Sequence, residues 1–146
     1  MNYSLKEIKR KLKQESCMPF QASSIAQTLF LENEQNNNED TVKLISLFLN
    51  KLIEWDLERL WFKQLNYGKA IADSEFDLEY EEMHKLYSLC DEIYCLEKIG
   101  LKTNENIKKE FFESIQNRLQ KESKKAKLVA EDKIEDWNKD LWWYKI

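Results

Sequence analysis

The chain has 146 residues, 42% hydrophobic and 34% charged, with a formal net charge of −4. That length suits one domain and is enough to bury a core without a metal or disulfide staple. Two glycines and one proline are too few for the closely spaced turns of an all-β fold. The composition therefore predicts an all-α protein, a compact bundle of about five to six helices forming a single domain over 1–146.

Leu5, Ile8 and Leu12 recur at helical spacing and predict a first helix over about 4–14, its other face covered by Lys6, Lys9, Arg10, Lys11 and Lys13. This start is charged and periodic rather than continuously apolar, so no signal peptide is expected. Pro19 marks a boundary before a second helix over about 20–31, with Phe20, Ile25, Leu29 and Phe30 expected inward. The run 32–40 (ENEQNNNED) has no apolar residue and reads as an exposed loop.

The third helix, 41–66, is expected to be the central one. Lys43, Ser46, Asn50 and Glu54 form a narrow polar stripe, and Val42, Leu44, Ile45, Leu47, Phe48, Leu49, Leu52 and Ile53 fill the remaining arc. A helix apolar over so wide an arc calls for neighbours on most sides. Gly68 is expected to end it.

A fourth helix is expected from Ser74, where Ser74-x-x-Asp77 matches a capping-box-like pattern, to Ile99, with Gly100 just past its end. Met83, Leu86, Cys90 and Ile93 make its buried seam, and Tyr80, Tyr87 and Tyr94 run along one edge. Residues 104–146 contain neither Gly nor Pro. Ile107, Phe111, Ile115 and Leu119 form one apolar stripe, and Ile134, Trp137, Leu141 and Tyr144 another. One unbroken helix there would be about 60 Å long, against roughly 40 Å for a compact domain. A break is therefore expected in the polar stretch 120–127.

Catalytic arrangements are few. His84 is the one histidine; it lies six residues from Cys90 on a divergent helix face, which disfavours a thiolate–imidazole pair. Glu81-x-x-His84 has the spacing of di-iron bundle ligands, but such sites need a second copy of the motif. Cys90-x4-Cys95 lacks zinc spacing, and two isolated glycines cannot make a phosphate-cradling loop. No enzymatic activity, cofactor or metal is expected. Three cysteines, an odd number in a chain that needs no staple, read as reduced thiols in a cytoplasmic protein, and no apolar run is long enough to span a membrane.

Charge is unevenly spread. Residues 73–82 (DSEFDLEYEE) carry six carboxylates with Phe76, Leu78 and Tyr80 interleaved, and from 73 to 97 nine acids face Lys85 alone. Such a run would steer a basic protein toward it, although acids also complement a helix N-terminus. Asp73, Glu75, Asp77, Glu79, Tyr80, Glu81 and Glu82 are thus candidate partner-binding residues. Trp137, Trp142 and Trp143 join them, because aromatic density flanked by acids has the composition of an interface hot spot. The basic runs 6–13 and 118–127 lack the interleaved aromatics of a nucleic-acid platform, and pairing with the acidic helices accounts for them. Direct nucleic-acid binding is not expected; homo-oligomerisation stays open. The sequence points to an inhibitor-, immunity- or antitoxin-like protein that offers an acidic, aromatic-bearing surface to a basic protein partner. The alternative is a structural helical subunit of a larger assembly, a nucleoprotein assembly included.

Overall fold

The computed structural model describes residues 3–146. It is 74% helical without strands and has seven α-helices among the described residues: α1 (Leu5–Lys11), α2 (Pro19–Gln35), α3 (Glu39–Glu54), α4 (Glu58–Asp73), α5 (Tyr80–Lys98), α6 (Glu105–Lys121) and α7 (Ser123–Lys133), followed by a 3-10 turn, Trp142–Tyr144. None of these helices is long and apolar enough to cross a membrane. The helices group into two compact units. The first holds the chain up to Trp61 together with Glu92–Lys102, and the second holds Phe62–Asp91 and Thr103–Ile146. Helices α4 and α5 therefore each contribute to both.

In the first unit, Ser4 and Glu7 close a capping box at the start of α1, and Pro19 occupies the first turn of α2, where its missing N–H costs nothing. The buried face of α2 is Ala22, Ile25, Ala26, Leu29 and Phe30. Phe20 falls off that register and is exposed, contrary to its expected inward position. Helix α2 also continues to Gln35, so the expected loop over 32–40 shrinks to 36–38. Asn38 then caps α3, its side-chain oxygen accepting from the Thr41 N–H at 2.9 Å.

The expected central helix 41–66 is two helices. Asp56 has φ 56°; its N–H donates to Ile53 O at 3.0 Å and the Leu57 N–H to Leu52 O at 2.9 Å. These two bonds define a Schellman stop with Asp in the position usually held by Gly, and Arg59 pairs with the Asp56 carboxylate at 2.5 Å. Gly100 (φ 116°) ends α5 in the same way, with bonds to Glu97 O and Leu96 O. Helix α3 is amphipathic rather than surrounded: Thr41, Leu44, Ile45, Phe48 and Leu52 are buried, whereas Val42, Leu47 and Ile53 are exposed. Phe30 and Tyr94 meet edge to face at 5.5 Å, and the Trp55 indole donates to Gln14 O at 3.0 Å.

In the second unit, Gly68 lies inside α4 instead of ending a helix. A Cβ there would stand 2.8 Å from Leu89 Cδ1 and 2.9 Å from Phe111 Cε1, so the close approach of α4 to α5 and α6 demands glycine. The seam residues Met83, Leu86 and Cys90 are fully buried. Residue 122 breaks the last long helix inside the expected stretch, leaving α6 and α7 as separate helices. Beyond Lys133 the chain leaves helical geometry, so Ile134, Trp137, Leu141 and Tyr144 do not share a helical stripe. Tyr144 is buried while Ile134 is exposed.

Candidate functional site

Helix α5 begins at Tyr80, six residues later than expected, and the acidic residues before it form a turn rather than a helix start. Lys69 closes α4 by pairing with Asp73 at 2.7 Å, which holds the Asp73 carboxyl below its ordinary value. Tertiary bonds then override local helix preference. Arg118, only 3% exposed, donates from Nη1 to Ala72 O at 3.2 Å and from its two terminal nitrogens to Ser74 O and Phe76 O. Lys125 donates to Leu78 O, and the Leu78 N–H donates to Glu122 Oε1 at 3.3 Å. The buried Leu78 side chain plugs the turn into the core. Glu82 caps the start of α5 by accepting from the Glu79 N–H at 3.1 Å.

Glu122 organises this cluster. It accepts from Arg118 Nε at 2.6 Å and lies 3.6 Å from Lys125. Burial pushes its carboxyl upward, but the hydrogen bond and charge of Arg118 outweigh that, and the group stays ionised below its usual range. The cations at 118 and 125 thus engage backbone carbonyls of the acidic segment and the carboxylate of Glu122, not the acidic side chains of 73–82. Those side chains are left pointing out.

Glu75, Asp77, Glu79, Glu81 and Glu82 are all exposed. Phe76 stands among them 81% exposed. Tyr80 is partly exposed, and its hydroxyl donates to Asp132 of α7, which raises the phenol above its ordinary pKa. Leu128, also exposed, lies one turn from both Lys125 and Asp132 on α7 and so shares their face. Phe76 and Tyr80 are thus exposed among carboxylates, and the Tyr80–Asp132 bond ties the segment to the face of α7 that carries Leu128.

The three candidate tryptophans are not part of this face. Trp143 is buried; its indole N–H donates to Asp91 Oδ1 at 3.0 Å and the Tyr144 hydroxyl to Asp91 Oδ2 at 2.6 Å. Asp91 lies eleven residues beyond Tyr80 on α5, or about 16 Å along the axis. Trp143 stacks on Phe112 at 5.6 Å, Trp142 is 38% exposed, and Trp137 is half-buried. The C-terminal rings are a clasp that fastens the end of the chain onto α5 and α6. Asp91 was not singled out in the sequence, because its partners lie 52 and 53 residues away and no local pattern marks it.

Burial raises the Asp91 carboxyl, and the bonds from Tyr144 and Trp143 only partly offset this. A carboxyl whose folded pKa is raised gives up stability as pH rises from its unfolded value, about 3.9, through its folded one. Asp91→Asn cannot titrate. The stability of the wild type relative to Asp91→Asn should therefore decrease as pH rises through that interval and level off above it, as measured by urea unfolding at a series of pH values.

His84 and Glu81 are both exposed; burial and Lys133 lower the imidazole pKa. Among the described residues no group of three or more His, Cys, Asp or Glu side chains converges on a metal-sized site. Neither a protein-family model, nor a curated protein, nor a solved structure matches the chain.

Proposed function

We propose that the protein is a non-enzymatic binding protein whose acidic, aromatic-bearing face covers a basic surface on a protein partner, in the manner of an inhibitor or immunity protein acting in the cytoplasm. One observation supports this reading above the others: a phenylalanine held in the open among five exposed carboxylates, on a turn fastened from below by Arg118. An exposed ring on a rigid turn supplies burial energy at little entropic cost, and the carboxylates supply steering and orientation. Trp143 is committed to the Asp91 clasp and Trp142 packs against it and Phe112, so the proposed surface is centred on the acidic turn and not on the tryptophans.

The exposed Val42 and Ile53 of α3 favour a second reading, a structural subunit of a larger helical assembly. An inhibitor acts alone on a purified target, whereas a subunit needs its complex.

Reversing Asp77, Glu79 and Glu81 to Lys tests the first reading. These side chains are exposed, so the circular dichroism spectrum and melting temperature should change little. Binding to the protein that co-purifies from the native cell should weaken through a slower on-rate, and wild-type binding should weaken as salt rises. Equal on-rates for the two proteins, with no salt dependence, would remove the acidic face from the interface.

A further inference from the structure

The first unit carries a groove with the opposite character to the acidic face. Helix α3 contributes one stripe, Lys43, Leu44, Leu47 and Lys51, and α1 with its cap contributes Lys9, Leu12 and Lys13; together they enclose about 380 Å³. Leucines make the floor, and the four lysines stand around it with Asp40 as the acid among the lining residues. Lys43 and Lys51 reach Glu39 and Glu54 at 3.5 and 2.9 Å. Lys9 and Lys13 have no ion pair among the described residues. Leu47 is left 55% exposed in the middle of this ring of cations, where nothing in the unit covers it.

We infer that this groove receives Phe76 and its flanking carboxylates from a second copy of the chain. The two surfaces match in chemistry: a protruding ring bordered by Glu75, Asp77 and Glu79 meets a leucine floor bordered by lysines. Apolar burial at the centre with charge pairs at the rim is the ordinary anatomy of a specific contact. Each copy displays both halves, so the contact is either exchanged reciprocally in a two-fold dimer or passes head to tail into a ring or a chain of molecules. The inference rests on the acidic face being an interaction surface, and it names an occupant for that face. A second copy and any other basic partner then compete for it.

The test uses the intact protein. In sedimentation velocity at low salt the average mass should grow with concentration, and high salt should return it to the monomer. Phe76→Ala removes the ring and leaves the groove; Leu47→Glu spoils the groove and leaves the ring. Both positions are exposed, and circular dichroism verifies that both variants fold. Each variant alone should be monomeric. An equimolar mixture should form a one-to-one dimer that grows no further, because one functional ring and one functional groove remain. A wild type that stays monomeric at all concentrations and salts overturns the inference, as does a mixture that stays monomeric or a Phe76→Ala protein that still associates. Capture of an added acidic peptide in the groove by a monomeric wild type would equally overturn it. The reading of the acidic face as a partner-binding surface is judged separately, by binding of the co-purifying partner to Leu47→Glu, which keeps that face whole.

Discussion

Changing Leu52 to Asp is expected to abolish the cooperative folding of the first unit. Leu52 is fully buried on α3 beside Phe48, and its backbone carbonyl accepts the Leu57 N–H that closes the Schellman stop. An unpaired carboxylate buried there costs several kcal/mol, against a total stability of roughly 5–15 kcal/mol for a domain. Leu49→Asp should be milder. Leu49 is half-buried and lies against Gly100 at the end of α5, 3.2 Å from where a Cβ would be, so an aspartate there can turn toward water. Thermal melts followed at 222 nm check both: loss of the transition for Leu52→Asp, a lowered but cooperative one for Leu49→Asp. Similar melting of both variants and the wild type would show that α3 is dispensable to the core.

Replacing Arg118 by Met should be the most damaging change in the second unit. The guanidinium serves the carbonyls of Ala72, Ser74 and Phe76 and the carboxylate of Glu122. Methionine fills much of the volume but leaves Glu122 without its closest cation and three carbonyls without their donor. Breaking a buried pair from one side costs about 3–5 kcal/mol. Arg118→Met with Glu122→Gln should recover part of that loss, because the orphaned charge is gone. Urea unfolding of the single and double variants gives the comparison, and protease cleavage within 74–79 reports whether the acidic turn has come loose. If Arg118→Met unfolds at the wild-type urea concentration, the turn has some other anchor.

Helices were legible where periodicity and polar interruption coincide. The seam of α5, the cap at Gly100 and the break at residue 122 all follow from spacing and composition. The break at Asp56 was not, because the usual signal for a left-handed cap is glycine, and here an aspartate, whose short polar side chain tolerates that conformation, takes its place. The acidic segment looked like the first turns of a helix because acids suit a helix N-terminus and Ser74-x-x-Asp77 resembles a capping box. What stops it is a cation more than 40 residues away, and no local pattern encodes that. The same limit applies to the tryptophans: their density was visible, but the acceptor that buries Trp143 was not. The chemical character of the acidic face could be read from the sequence. Its conformation and its separation from the C-terminal rings could not.

Helix α5 passes from one unit into the other between Asp91 and Glu92, and its two thiols fall on either side, Cys90 in the second unit and Cys95 in the first. Both are buried, and burial holds the Cys90 thiol well above its normal pKa. Cut at that point, the helix would leave a piece of twelve residues and another of seven, lengths at which an isolated helix is marginal in water. Each half of α5 is therefore held by packing within its own unit. If α5 opens as one piece, Cys90 and Cys95 are expected to become open to a thiol reagent at the same rate, whereas units that open separately would expose them at different rates. Cys17, already half-accessible at the head of α2, reacts ahead of both.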